Sequence, residues 1–191
     1  MRPLAFGLLL NGFAPILIAG CAVLPFSRRD EGLIREDFRS RIARYMDLHE
    51  SLADKYDAVL DPGAEPEAIN AARRTLSAAL VQARANAKRG DLFTPSIERY
   101  FRERIRAHLR GMDGVTPTFA ITEVQPRAVR IGVNAIYPPD VPVPTMPPGV
   151  LEKLPPLPDE LQYRVVHGAL ILLDIHASVI IDYIPDVLPH P

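Results

Sequence analysis

Apolar and semi-apolar side chains recur in alternating steps of four and three at Phe38, Ile42, Tyr45, His49, Leu52, Tyr56 and Val59. That spacing holds one stripe against one partner along a helix. Ser27 followed by Asp30 supplies a capping box at its start, and Pro62-Gly63 ends it. A second stripe, Ile69, Ala72, Leu76, Ala79, Ala83 and Asn86, predicts a helix from Pro66 to Lys88 or Arg89, with proline where a missing N–H costs nothing and Gly90 as the stop. Its small side chains let it approach the first helix closely as an antiparallel hairpin. Thr94-Pro95 opens a third helix, whose stripe is Ile97, Tyr100, Phe101, Ile105, Leu109 and Met112, ended by Gly111 or Gly114.

From Asp113 onward the pattern changes, and 14 of the 20 prolines lie in this half. Val129, Ile131 and Val133 alternate with Arg130, Gly132 and Asn134, which predicts a strand with one wet face. Tyr137 to Pro158 holds nine prolines. These cannot donate to a ladder, so the segment reads as an extended strap with a turn of helix near Val150 to Leu154. Pro139 and Pro142 have the PxxP spacing of groove ligands, but a strap packed on its own domain has the same composition. Leu161 to Val166, His167-Gly168 and Ala169 to Asp174 read as a hairpin with a two-residue turn. Val179 to Ile184 follows as a third strand. The buried face of such a sheet needs a cover, for which the third helix is available.

The first twenty-six residues have another character. Met1 and Arg2 precede a mostly apolar run to Gly20, and the run closes Ile18-Ala19-Gly20-Cys21. A positive start, an apolar middle and small residues before a break make a secretory signal. The last four residues resemble the lipobox of bacterial lipoprotein signals. The resemblance implies removal of residues 1–20, a diacylglycerol and further acyl chains on Cys21, and a lipid-anchored protein on the periplasmic face of the cell envelope. In Gram-negative members of that family a residue such as Ala22 after the cysteine, rather than Asp, favours the outer membrane. Two or three acyl chains hold a protein on a bilayer stably, at about 0.8 kcal/mol per buried methylene. The alternative is an uncleaved helix from Pro3 to Phe26, long enough for roughly 30 Å of hydrocarbon. Its flanks, Arg2 on one side and Arg28 and Arg29 on the other, select no orientation.

Without residues 1–20 the 191-residue chain keeps 171, enough for one domain with a real core or two small ones. Residues 27–112 carry 17 Lys and Arg against 14 Asp and Glu, and residues 113–191 carry 4 against 9. This mild asymmetry is far from the basic face of a nucleic-acid binder. Cys21 is the one cysteine, so stability rests on packing and not on a disulfide. Arg99, Arg102, Arg104, Arg106 and Arg110 line the third helix. They could meet anionic lipid headgroups, as in a membrane-surface sensor working through the basic helix 95–110. Ordinary pairing with acidic residues of the hairpin explains such a run more simply.

Candidate chemistry is sparse. Asp174, His176 and Ser178 have the residue types of a hydrolytic triad, and on a strand they would share a face. However, same-face neighbours stand about 6 to 7 Å apart at Cα, and no nucleophile elbow surrounds Ser178. Asp174, His176 and Asp182 could also meet across the turn at a metal, although such groups on a hairpin are commonly surface polar residues. No glycine-rich phosphate loop or dinucleotide fingerprint is present. The run Tyr163-Arg164-Val165-Val166, Leu170 to Asp174 and Ile180-Ile181-Asp182 is similar to the closing hairpin of uncharacterised bacterial envelope proteins, a likeness that implies no activity.

The expected architecture is α+β: signal peptide 1–20, short tether 21–26, helical region 27–112, and a proline-rich and β-meander region 113–191 packed on it. The expected role is a lipid-anchored envelope protein with a non-enzymatic accessory or binding function. It needs no cofactor, metal or nucleic acid; its partners are the membrane, through Cys21, and an envelope protein. The competing reading is an envelope hydrolase using Asp174, His176 and Ser178.

Overall fold

A computed structural model describes residues 26–56, 63–110, 129–138, 141–143, 146 and 148–188. Residues 1–20 and Cys21 lie outside them, as do Val59, Pro62, Gly111, Met112, Gly114 and Pro139.

Helix α1 spans Arg28–Lys55, about 42 Å at 1.5 Å per residue. Its start is the anticipated capping box: the Ser27 hydroxyl accepts from the Asp30 N–H at 3.2 Å, and the Asp30 carboxylate accepts from the Ser27 N–H at 3.3 Å. Phe38, Ile42, Tyr45 and His49 of the expected stripe are buried, joined by Ile34 and Met46. Tyr56 is exposed.

Helix α2, Pro66–Ala83, starts at the expected proline but stops a turn and a half early. Leu76, Ser77, Ala79 and Leu80 are its buried residues, whereas Ala83 and Asn86 are exposed. The stripe breaks because the next residue, Arg84, turns inward and is buried. Helix α3, Pro95–Arg110, buries Ile97, Tyr100, Phe101 and Ile105. Helix α1 packs against both α2 and α3.

Three arginines of α3, Arg99, Arg102 and Arg104, are engaged within the protein. Arg102 pairs with Glu98 at 2.8 Å and donates to the carbonyls of Pro185 and Asp186. Arg104 pairs with Glu31 of α1, and Arg99 stacks on Phe26 with 3.7 Å from guanidinium to ring centre. Phe26, the last residue of the expected tether, thus packs on the folded part, its ring 6.3 Å from that of Tyr100.

Four antiparallel strands form one sheet in the order β1-β4-β3-β2: β1 Ala135–Ile136, β2 Leu161–Val166, β3 Ala169–Asp174 and β4 Val179–Ile184. A short helix α4, Pro148–Leu151, precedes β2. The β2–β3 hairpin turns at His167 and Gly168, whose φ of 48° and 76° are the left-handed pair that a two-residue turn demands. The strand expected at Val129 to Val133 forms instead at Ala135–Ile136. Its alternation is spent on a turn, in which Ala135 N–H bonds to the Gly132 carbonyl and Asn134 adopts φ 61°.

The sheet is covered on both faces, and every residue of β3 is buried. One face, with Tyr163, Val165, Leu170, Leu172 and Ile181, meets the helices at a ring cluster of Phe38, Phe93, Phe101 and Tyr163. The other, with Val166, Ile171, Leu173 and Ile180, lies under Val129 and Tyr137. Val129 and Ile131 of the expected strand therefore pack against a sheet face and take no place in its ladder.

Candidate functional site

Burial makes polar groups informative, because an unpaired one is costly and each must be satisfied. Asp174 and Asp182 are both fully buried. Asp174 ends β3, where one oxygen accepts from the Tyr45 hydroxyl at 2.6 Å and lies 2.7 Å from His49 Nδ1. Its other oxygen accepts from the Ala177 N–H at 2.7 Å and closes the β3–β4 turn. Tyr45 and His49 are four residues apart on α1, so one helical turn presents both to the same carboxylate.

Burial raises the Tyr45 pKa well above its ordinary value, and the neighbouring Asp174 charge adds to this, so the phenol remains a donor. For His49 burial works the other way, against the charged ring. The Asp174 hydrogen bond and charge, assisted by Glu160 and Glu50, outweigh it and hold the His49 pKa above the ordinary histidine value. A carboxylate only accepts, so Nδ1 carries the proton in this contact.

Asp182 serves a different element. It accepts from the backbone N–H groups of Gly90, Leu92 and Phe93 at 2.8–3.2 Å, and from that of Tyr183 at 2.8 Å. A side chain from β4 thereby satisfies the loop between α2 and α3, whose Gly90 has φ 92°.

Arg84 links helix, sheet and covering segment. Its Nη1 donates to Asn134 Oδ1 at 3.1 Å and its Nη2 to the Ile181 carbonyl at 2.7 Å, while Asn134 Nδ2 donates back to the Arg84 carbonyl at 2.7 Å. Ile181 is the residue skipped where the β3–β4 register jumps from Leu172↔Asp182 to Leu173↔Ile180. Such a bulge leaves one residue out of the ladder, and Arg84 uses its carbonyl. The guanidinium also lies 5.2 Å from the Tyr45 ring centre. A cleft of about 380 Å³ opens here, lined by Arg41, Arg44, Arg84, Tyr45 and Asp91 among others. A second cavity, about 390 Å³, lies beside β2 and is walled by Pro155, Pro156, Tyr163 and Arg164.

The three triad candidates are not joined. Asp174 is occupied by α1 and by its own turn; Ser178 sits at φ 53°; and His176 lies near His49, the rings tilted to each other with centres 5.9 Å apart. Among the described residues no hydrogen bond connects Asp174, His176 and Ser178 to one another. Nor do Asp174, His176 and Asp182 share a site: Asp182 faces the Gly90–Phe93 loop. Among the described residues no three His, Cys, Asp or Glu side chains are grouped to hold a metal ion.

Sequence reasoning missed Arg84, Asn134 and the arginine cleft, and placed Asp174 with the wrong histidine. One signal was available: Tyr45 and His49 are polar tips inside an otherwise apolar stripe, and buried polar tips require a partner. Comparison of the chain with models of protein families, with curated proteins and with solved structures finds no match.

Proposed function

We propose that this chain is a lipoprotein of the bacterial cell envelope, acylated at Cys21 after loss of residues 1–20, with a non-catalytic binding or accessory role at the membrane surface. The observation that carries the reading is the Ile18-Ala19-Gly20-Cys21 box standing five residues ahead of Phe26, the point at which the chain packs on α3. Five residues reach at most about 17 Å, so a lipid on Cys21 would hold the fold against the bilayer. Among the described residues, which begin at Phe26, no helix is long and apolar enough to cross a membrane.

A binding role is favoured over hydrolysis by the fate of the buried acid. Asp174 spends its hydrogen-bonding capacity on tying α1 and the β3–β4 turn together, and a residue committed in this way is unavailable to orient His176. Ala22 after the cysteine favours the outer membrane where the host has one.

The test is metabolic labelling with radioactive palmitate in a Gram-negative host, comparing the full chain with Cys21→Ser. The proposal expects a labelled wild-type chain in the membrane fraction and an unlabelled variant. Equal labelling of both, or an unlabelled wild-type chain in the cytoplasmic fraction, contradicts it.

A further inference from the structure

We propose that the cleft lined by Arg41, Arg44 and Arg84 binds a phosphate monoester, held by the buried Arg84 guanidinium at its floor and by Arg44 at its rim. The inference gives the binding role above a ligand class, and it holds whether or not Cys21 carries lipid.

The argument starts from the pairing of Arg84. Its side chain is buried, with the residue only 8 % exposed, yet among the described residues no carboxylate lies within ion-pair distance of it. Guanidinium has five N–H donors, and two of them are used, both on neutral oxygens of Asn134 and Ile181. Burial lowers the Arg84 pKa, against the combined pull of Tyr45, Asp182, Asp91 and Asp174. A desolvated cation without a counter-ion is an expensive arrangement that a bound anion relieves.

The two buried acids act on Arg84 at a distance but make no direct ion pair with it. Asp174 is held by Tyr45, His49 and Ala177, and Asp182 by four backbone N–H groups. Each would have to abandon satisfied, buried donors to turn toward Arg84. Arg102, Arg104 and Arg74 pair with glutamates, whereas the half-buried Arg164 beside β2 shares with Arg84 the pattern of bonds to neutral oxygens alone; Arg84 differs from it in facing a cleft lined by two further arginines.

The rest of the cleft adds charge without cancelling it. Among its lining residues Asp91 is the one acid, and its carboxylate accepts from the Lys88 N–H. Arg41 is fixed by Asp37 and by the Asp91 carbonyl, so it contributes charge in a set position. Arg44 is exposed and, among the described residues, has no ion-pair partner. With Arg41 already paired to Asp37, Arg44 and Arg84 face the single lining carboxylate of Asp91, and the planar fork of arginine matches phosphate oxygens in pairs. A space of about 380 Å³ admits a phosphate with a small ester group. Such a phosphate could belong to a soluble ester or to a lipid headgroup.

The experiment is calorimetric titration of the full-length protein, purified in neutral detergent, with glycerol 3-phosphate and, separately, with detergent-dispersed phosphatidic acid, phosphatidylcholine serving as the control lipid. Arg44→Gln, at an exposed position, should leave the melting temperature unchanged and weaken phosphate binding about ten-fold, the size of one charge-assisted hydrogen bond. Arg84→Lys keeps the charge, loses the fork and should weaken it at least as much. Arg74→Gln, an exposed arginine on α2, should have no effect. Binding of glycerol 3-phosphate that weakens in Arg44→Gln supports the proposal and assigns a soluble ester. Binding of phosphatidic acid but not of phosphatidylcholine or glycerol 3-phosphate, weakened in Arg44→Gln, supports it with a headgroup as the source. Binding to neither, or binding that Arg44→Gln and Arg74→Gln weaken equally, overturns it.

Discussion

The Tyr45 hydroxyl donates to the Asp174 carboxylate at 2.6 Å across 129 positions of sequence, and the contact is fully enclosed. It fastens the middle of α1 to the last residue of β3, so helix position and strand end are set by one acid. Tyr45→Phe removes one hydrogen bond to a charged group and should cost about 1.5–3 kcal/mol. Asp174→Leu strands the Tyr45 hydroxyl, the His49 ring and the Ala177 N–H together and should cost about 3–5 kcal/mol or prevent folding. Urea unfolding of the three proteins checks the order. A Tyr45→Phe variant as unstable as Asp174→Leu would contradict the shared-acceptor arrangement.

His49 makes stability depend on pH in a defined direction. Its pKa is raised in the folded state, with Asp174, Glu160, Glu50 and the ring of His176 facing it. A raised histidine contributes stability that is complete below the unfolded value of about 6.5 and is lost as pH climbs through the folded value. The urea midpoint should therefore fall as pH rises above about 6.5, and His49→Gln should flatten this slope. A wild-type midpoint that rises over that range, or a slope unchanged in His49→Gln, runs against the assignment.

Asp182 should control the loop between α2 and α3 without controlling α1. Asp182→Ala leaves the N–H groups of Gly90, Leu92 and Phe93 buried or half-buried without their acceptor, at a cost of about 3 kcal/mol or more. Hydrogen exchange should accelerate at these amides more than at those of residues 38–46. Uniform acceleration through both segments would show that the acid supports the whole fold and not this loop.

Ser178 is a turn residue with a backbone that serine rarely adopts, φ 53°. Glycine takes this conformation without the steric penalty of about 1 kcal/mol. Ser178→Gly should consequently stabilise the protein slightly, read as a melting-temperature increase of a few degrees. A marked loss of stability would mean that the hydroxyl holds something the hydrogen bonding does not show.

The hairpin and the third strand were legible because their rules are local. Alternation or continuous apolarity bounded by His167-Gly168 sets β2 and β3, and β-branched residues set β4. The first helix was legible for the same reason, from Ser27 and Asp30 through its stripe. The early end of α2 was not, since nothing near Arg84 reveals that a bulge at Ile181 and a left-handed Asn134 await it across the fold. The role of Asp174 was misread in kind. Its neighbours in sequence, His176 and Ser178, suggested chemistry, while its partner in space was a histidine 125 positions away. Ion pairs, bulges and buried acceptors are set by tertiary contacts, and one-dimensional periodicity does not contain them.

The proposed membrane anchor carries the functional account, and the amino terminus of the isolated protein tests it most directly. Mass spectrometry of the protein isolated from membranes of a Gram-negative host should find a chain beginning at Cys21, with a diacylglyceryl thioether and an acylated amino group. A chain that retains Met1 and a free Cys21 thiol would contradict it.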